Sequence, residues 1–359
     1  MIPKAKLLRQ KKIQGRSPMD RAVAEALEDL KVQGFEPDLI LGAAGQGSTL
    51  FVKDVFPKAL FLAFFDRYPR PDLLETNREK NHLPGLTTRI KIREQTLPLL
   101  SDLHLCDHGI CPTLWDKNQF PKIFQHKLQV IHPGIPPLCS KPAPKKSLML
   151  SRLDLGCAKE IITYTNKGLD PDQGIVRFIK SIPLILEKRP DAHVVILKDK
   201  PAGYGPGPGQ NHFYKKTMAR TRFPDPERVH FLDFLPFDTY CDLLRASSIH
   251  VDLSRPFILS DSFLQAMSCG SIVVAPDTAQ VRDIIKDGVN GILTDVFDIQ
   301  KIAQKITACL DYPSFMGTLK LKAQQTIADN FCIDKTLAAQ IRVVKQMIQA
   351  KNKPGPRFG

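Results

Sequence analysis

The chain has 359 residues, of which 43% are apolar and 25% are charged, and its formal net charge is +14 at pH 7. This length predicts about two domains, and the composition excludes disordered, collagen-like and coiled-coil proteins. Apolar runs such as 59–65 are too short to cross a bilayer, and the first twenty residues lack the apolar core of a secretory signal. Eight scattered cysteines without a CxxC pair predict buried, reduced thiols rather than disulfides or a zinc site. We therefore expect a cytoplasmic protein.

The positive charge is concentrated at the two ends of the chain. Residues 1–16 carry six basic residues and no acid, and the last fifteen residues carry four more, again without an acid. The body between them lacks the basic stripe, interleaved with aromatics, of a nucleic-acid enzyme. Basic ends beside a nearly neutral body are typical of solvated tails or of weak attraction to anionic lipid headgroups. We expect no specific nucleic-acid partner.

The first elements in chain order alternate between helix and strand. Residues 17–20 (Ser-Pro-Met-Asp) combine an N-cap serine, a proline and an acid, and predict a helix that ends at Gly34. The remaining pattern predicts strands at 39–41, 60–65, 103–105, 109–111 and 127–131, and helices at 87–100 and 113–119, with a proline-rich loop at 66–85. Alternation at this spacing predicts a parallel sheet with helices on both faces.

A proline-rich linker then separates this region from a second one. Five prolines fall within residues 133–144, which can continue neither a sheet nor a helix. Beyond it we predict strands at 161–165, 193–197, 229–232, 249–253, 271–275 and 291–294, and helices at 171–188, 212–221, 237–245, 261–268, 279–286 and 298–310. Residues 314–350 leave room for two more helices. The predicted domains are 17–135 and 148–330, with a linker at 136–147 and a C-terminal helix and basic tail at 331–359.

Two strand-to-helix junctions are the candidate ligand sites, because ligands bind at the carboxyl ends of parallel strands. Lys167 follows one predicted strand and could meet a phosphate as a point charge. Ser260, Asp261 and Ser262 open a predicted helix, whose free N–H groups suit a diphosphate. The alternatives are that Lys167 is a surface lysine in a turn and that Ser260 only caps its own helix.

Other chemistry-bearing motifs are weak. The loop 204–209 (YGPGPG) lacks the Lys-Ser/Thr ending of a P-loop, and Gly45-Gln46-Gly47 lacks the third glycine of a dinucleotide fingerprint. His104 and His108 are four residues apart, but we place them in a strand and a turn, where that spacing does not align them as ligands. We therefore expect no metal and no cofactor.

Taken in order, several segments resemble the retaining glycosyltransferases of family 4, which have the two-domain GT-B fold. The stretch 229–240 (VHFLDFLPFDTY) is similar to the family pattern VHFLGxLPYxxY, and 264–275 (LQAMSCGSIVVA) is similar to LLEAMACGxxVVAS. Residues 287–293 (DGVNGIL) match DGENGLLV, and short segments before the linker, such as 130–135 (VIHPGI), also fit. The resemblance covers about residues 20–330.

The resemblance implies two doubly wound, Rossmann-like domains facing a cleft, and the transfer of a sugar from a nucleotide-diphosphate sugar to an acceptor with retention of configuration. The acceptor is not identified and would be a glycan or a lipid-linked molecule; the basic ends could hold the enzyme at the inner face of a membrane that carries such a lipid. Lys167, with Gly168 beside it, would take the place of the family's phosphate-binding arginine. Ser260, Asp261 and Ser262 would line the diphosphate site, and Gln265 would stand where a glutamate usually holds the ribose hydroxyls.

Departures from the family pattern support an alternative function. The family's paired glutamates fall on Phe257 and Gln265, its second cation falls on Gln173, and a histidine of its N-terminal glycine loop falls on Ala43. We also expect an incomplete N-terminal domain, because a usual one would have roughly eighty more residues before Met1. The alternative is thus a non-catalytic GT-B protein that acts as a binding or scaffold subunit.

Overall fold

The computed structural model describes residues 18–73, 85–138, 148–150, 153–167, 174–199, 216–253 and 261–352. These residues form two compact units. The first unit contains the described residues up to His132 and also Leu337–Asn352, and the second runs from Pro133 to Thr336. The domain boundaries expected from the sequence, including the linker at 136–147, stay predictions.

The first unit is built on a four-stranded parallel sheet in the order β1-β2-β3-β4. Its elements are α1 (Pro18–Val32), β1 (Leu39–Ala43), α2 (Val52–Val55), β2 (Leu60–Phe64), α3 (Leu86–Leu105), β3 (His108–Cys111), α4 (Leu114–Gln119) and β4 (Leu128–Val130), with 3-10 turns at Pro71–Leu73 and Lys122–Lys127. Consecutive strands are neighbours, each joined to the next by a crossover. This confirms the predicted parallel sheet.

Both faces of this sheet are covered, which explains why β2 is apolar at every position. On one face, Phe61 and Phe65 pack with Leu103 of α3. On the other face, Leu62 packs with Val343, which lies in the final helix of the chain. That helix therefore belongs in part to the first unit, as a layer on its sheet.

One predicted strand of this unit is wrong. Residues 103–105 continue α3, which runs to Leu105 instead of ending near residue 100. Leu99 and Leu103 are four residues apart and both are buried, as helical spacing on one face requires. A run of three residues is too short for its apolar pattern to separate helix from strand. His104 consequently lies in α3 and His108 in β3.

The second unit contains a six-stranded parallel sheet in the order β12-β11-β10-β7-β8-β9 and a separate antiparallel pair, β5 with β6. The strands are β5 (Met149–Leu150), β6 (Leu153–Asp154), β7 (Glu160–Lys167), β8 (Ala192–Asp199), β9 (Val229–Leu232), β10 (Ile249–Val251), β11 (Ile272–Pro276) and β12 (Ile292–Thr294). The helices are α5 (Ile175–Lys188), α6 (Phe237–Ala246), α7 (Asp261–Cys269), α8 (Ala279–Arg282), α9 (Ile299–Leu310) and α10 (Pro313–Asn330), and α11 (Ile333–Asn352) begins in this unit, whereas its residues from Leu337 belong to the first. Residues 216–220 are also helical, and Pro226–Arg228 forms a 3-10 turn.

The six predicted strands of this region are confirmed, with shifted ends, and so are the two helices expected within 314–350. The helix expected at 279–286 ends at Arg282. The helix expected from residue 171 begins at Ile175, because Gly174 has φ of 80° and is not helical. Alternate residues of the strands face two apolar layers, one packed against α5 and α9 and the other against α6 and α7.

Two further expectations concern the thiols and the membrane. Of the seven cysteines within the described residues, all are free, five are buried and Cys157 is exposed. Burial raises the pKa of Cys106 to about 11 and that of Cys111 to about 12, so these thiols stay protonated at neutral pH.

Among the helices that the structure describes, none has the length and apolar character needed to span a bilayer.

Candidate functional site

The candidate site lies where β7 and β10 end side by side in the second sheet. The chain leaves β7 through α5 toward β8 and leaves β10 through α7 toward β11, so the two connections diverge to opposite sides. A crevice opens between diverging connections at the carboxyl ends of such strands, and this is the usual ligand position in open α/β sheets. We call this place the β7–β10 crevice.

Close packing at Gly174 holds the start of α5 against the chain that follows β10. Gly174 has φ of 80°, and a Cβ atom placed on it would lie 2.4 Å from Cβ of Leu253 and 2.6 Å from its carbonyl oxygen. Only glycine avoids both the strained backbone and this overlap. Gly174 is therefore a residue of the crevice that the motifs did not identify.

The predicted site residues that are described fall at this edge of the sheet. Lys167 is the last residue of β7, one position inside the strand instead of beyond it. Asp261 is the first residue of α7 and is exposed, whereas Ser262 is buried. Gln265 is half-buried one turn further along, on the same side of the helix as Asp261. Gly168 and Ser260 lie outside the described residues, as do Gln173, Phe257 and the loop 204–209.

The amino ends of α5 and α7 both open toward the carboxyl edge that carries Lys167. Helix amino ends present unpaired N–H groups and a partial positive charge, which favour an anion. A lysine at the end of a neighbouring strand adds a full charge. Such an arrangement is of the kind that suits a diphosphate group.

A chain of buried polar side chains runs beneath the crevice. Nδ1 of His250 lies 2.9 Å from Oγ1 of Thr163, which lies 2.9 Å from Oγ of Ser247, and that hydroxyl donates to the carbonyl of Ile249 at 2.9 Å. Because each hydroxyl has one proton and the chain ends on a carbonyl, Thr163 donates to Ser247 and His250 donates from Nδ1. Nε2 of His250 is then an acceptor, and it has no partner among the described residues.

Burial lowers the pKa of His250 to about 4, and the nearby carboxylate of Asp252 only partly opposes this. The imidazole is therefore neutral at physiological pH. The motif search missed this residue. The available signal was the pair of polar residues at alternate positions, His250 and Asp252, at the end of an otherwise apolar strand.

In the first unit, the glycine-rich turn after β1 is anchored from α3. The backbone N–H of Gly45 donates to Oδ2 of Asp102 at 2.7 Å, and the Thr49 hydroxyl donates to the same oxygen at 2.9 Å. Asp102 is completely buried, and this burial raises its pKa despite the two hydrogen bonds. Ala43, where the family has a histidine, is the exposed last residue of β1.

No metal centre is evident in the part of the chain that the structure describes. There, no three His, Cys, Asp or Glu residues are grouped so that they could hold an ion. The expectation that the chain works without a metal or cofactor remains a prediction.

Comparisons with known sequences find glycosyltransferase models over both regions of the chain. A family model described as "Glycosyl transferase family 4 group" matches residues 8–136, and one described as "Glycosyl transferases group 1" matches residues 159–312. An uncharacterized glycosyltransferase of Methanocaldococcus jannaschii is 25% identical over 121 residues, which are 33% of this chain. The match spans only 31% of that relative's length.

Solved structures of low sequence identity share the fold. HepE of Anabaena, crystallised in complex with UDP-glucose, has a TM-score of 0.71 at 17% identity, and the match covers 95% of this chain and 88% of that one. Sucrose-phosphate synthase of Thermosynechococcus elongatus has a TM-score of 0.70 at 15% identity, with 93% and 80% covered. These matches confirm the predicted GT-B fold class.

Proposed function

Because the chain belongs to the GT-B glycosyltransferases of the family 4 type, we propose that it transfers a sugar from a nucleotide-diphosphate sugar to a glycan or lipid-linked acceptor, with retention of configuration. The second unit would hold the donor in the β7–β10 crevice. The observation that carries this proposal is the position of Lys167 at the same sheet edge as the amino ends of α5 and α7.

The donor class is supported by chemistry and by fold. A diphosphate needs positive charge and N–H donors, and the crevice supplies both. HepE of Anabaena, which shares the fold, was crystallised with UDP-glucose. Both observations support a nucleotide-sugar donor.

The proposed mechanism relies on stabilising the departing diphosphate. Lys167 Nζ and the helix N–H groups would offset the negative charge that develops as the bond from sugar to phosphate breaks. The held diphosphate can then take the proton of the acceptor hydroxyl on the face where the new bond forms, as retention requires. Gln265 would accept hydrogen bonds from the ribose hydroxyls through its amide oxygen, as a neutral substitute for a carboxylate.

Donor affinity in Lys167→Ala tests the site. A panel of nucleotide-diphosphate sugars is titrated calorimetrically into the whole chain without added metal. We expect one class of donor to bind to the wild type. Lys167→Ala should lower the affinity for that donor by about tenfold to a hundredfold, because a charge-assisted hydrogen bond to phosphate is lost.

Lys159→Ala is the matched control for this experiment. Lys159 precedes the opposite end of the same strand, where its exposed ammonium pairs with Asp191 at 2.8 Å. Its removal should leave donor affinity unchanged. Equal affinity of Lys167→Ala and the wild type would contradict the assignment.

One observation favours a second candidate function. Gln265 stands in α7 where the resemblance expects a carboxylate, so a ribose contact through this residue would carry no charge. A non-catalytic subunit that binds a nucleotide sugar without consuming it would tolerate this loss. Donor binding without sugar release distinguishes this candidate from the enzyme.

A further inference from the structure

A cavity of about 480 Å³ lies at the carboxyl ends of β11 and β12 in the second unit. It is bounded by the turn after β11, the segment from Arg282 to Asp287, the end of β12 and the side of α9. We call it the β11–β12 cavity. It is separate from the β7–β10 crevice, since β11 and β12 lie one and two strands beyond β10 in the sheet. The proposed donor function makes no use of it.

The basic side chains that line this cavity are Arg282, Lys286, Lys301 and Lys305. Arg282 is held in place by Asp277, to which its Nε and Nη2 donate at 2.6 and 2.9 Å. This fork leaves Nη1 available for another acceptor. A guanidinium fixed in this way is preorganised to bind an oxyanion.

Two ammonium groups of the cavity have no ion pair within the described part of the chain. Lys305 lies 3.5 Å from Asp287, whereas Lys286 and Lys301 have no ion pair among the described residues. Asp295 also lines the cavity, but its Oδ1 accepts from the backbone N–H of Phe297 at 2.9 Å. The cavity therefore has four cations and three carboxylates, a surplus of one positive charge, and the two ammonium groups outside ion pairs belong to Lys286 and Lys301.

The ionisation of Asp277 supports this picture. Its hydrogen bonds to Arg282 are the main cause of a lowered pKa, and the charges of Lys301 and Lys305 lower it further. Both lysines on α9 therefore act on the carboxylate of Asp277 at the cavity wall.

A buried hydroxyl at the cavity has no hydrogen-bond partner within the part of the chain that the structure describes. Thr294 lines the cavity and is 1% exposed, and its Oγ1 has no hydrogen-bond partner among the described residues. Its backbone oxygen is already used, because it accepts from the N–H of Asp277 at 2.9 Å. Buried hydroxyls are nearly always paired, since leaving one without a partner costs free energy. An oxyanion in the cavity would provide the acceptor.

We propose that the β11–β12 cavity binds a phosphomonoester. Thr294 Oγ1, the Nζ atoms of Lys286 and Lys301, and Nη1 of Arg282 donate to the phosphate oxygens. A phosphomonoester is close to a dianion at neutral pH, and Lys286 and Lys301 are the two ammonium groups of the cavity that can pair with it. The cavity is also of the size that holds a small metabolite or a lipid headgroup.

Phosphate binding to the whole chain tests this site. Inorganic phosphate and glycerol 3-phosphate are titrated calorimetrically at constant ionic strength, with chloride as the reference anion. Thr294→Val preserves the shape and removes only the hydroxyl, and Lys301→Gln removes one ammonium group. We expect each substitution to weaken phosphate binding by about tenfold.

Two controls separate this site from other sources of phosphate binding. Lys322→Gln removes an exposed charge on α10 that does not line the cavity, and it should leave phosphate affinity unchanged. Lys167→Ala should also leave it unchanged, while it weakens donor binding. Phosphate binding and donor binding therefore respond to different substitutions, so this proposal and the proposed function can fail independently.

Vesicles identify the source of the phosphomonoester. Binding to vesicles that contain phosphatidic acid, but not to pure phosphatidylcholine vesicles, together with loss in Thr294→Val, would assign a lipid headgroup. Binding of the soluble esters alone would assign a metabolite. The proposal is overturned if no phosphate probe binds beyond the chloride reference. It is also overturned if Thr294→Val and Lys301→Gln bind like the wild type, or if Lys167→Ala abolishes phosphate binding.

Discussion

His250 shows how a single residue of the second sheet is set by its surroundings. It lies in the middle of β10 between Ile249 and Val251, which face the opposite apolar layer. The hydrogen bond from its Nδ1 to Thr163 fixes one tautomer and leaves Nε2 unprotonated. The residue therefore stays neutral beneath the β7–β10 crevice and adds no charge to it.

This neutral state predicts a dependence of stability on pH. The pKa of His250 is lowered to about 4 in the folded chain and is near 6.5 when unfolded. Above pH 6.5 neither state binds a proton. Between pH 6.5 and about 4, His250 binds a proton in the unfolded state only. Protonation of this group therefore lowers the free energy of unfolding by about 1.4 kcal/mol for each pH unit as the pH falls.

The measurement is urea unfolding between pH 7 and pH 4.5, for the wild type and for His250→Gln. His193 and His230 also have lowered pKa values, mainly through burial, and contribute equally to both proteins. The difference between the two proteins in the slope of the free energy of unfolding against pH therefore gives the contribution of His250. Parallel curves for the two proteins would show that this histidine does not titrate as described.

Some residues of the site could be predicted from the sequence and others could not, because some contacts join segments that are far apart in the chain. Asp261 and Gln265 could be placed because they belong to one continuous segment whose helical register follows from its motif. His250 could not, because its partner Thr163 is 87 residues away and sequence spacing carries no information on that contact. Thr294 and Lys301 were missed for a similar reason, since strand and helix meet only in the folded sheet.

At the scale of elements, the start of α5 decides the shape of the crevice. Gly174 ends the preceding connection in a left-handed conformation, and α5 begins immediately afterwards. Its contact with Leu253 joins the helix that follows β7 to the chain that follows β10. The sequence predicted that a helix lies here, but only the packing shows why it begins at Ile175.

Gly174→Ala is therefore expected to damage both stability and donor binding. The left-handed backbone costs about 1–2 kcal/mol for a residue with a Cβ atom, and the overlap with Leu253 must be relieved by moving the crevice wall. Thermal unfolding and donor titration measure the two effects.

Gly317→Ala is the matched control. Gly317 lies within α10, and a Cβ atom there would have no neighbour within 4 Å. Alanine should raise stability by about 0.5–1 kcal/mol and leave donor affinity unchanged. Wild-type donor affinity in Gly174→Ala would show that the packing of α5 against Leu253 does not shape the site.

At the scale of the whole molecule, the class of fold was predictable and its topology was not. Continuous apolar strands separated by helices identified two parallel sheets, because such strands must be covered on both faces. The order β12-β11-β10-β7-β8-β9 follows from pairings between distant segments, such as Ile249 with Ile162. The contribution of Val343 to the first sheet was likewise invisible in sequence.

The family assignment and this topology together make nucleotide-sugar transfer the central claim. The measurement that tests it most directly is proton NMR of the anomeric signals while the whole chain acts on the donor that it binds, with glycan and lipid-linked acceptors. We predict release of the nucleoside diphosphate, a first sugar product with the donor's anomeric configuration, and much slower release by Lys167→Ala. A product of inverted configuration would contradict retention. A donor that binds but remains unconsumed with every acceptor would contradict the transferase and favour the non-catalytic subunit.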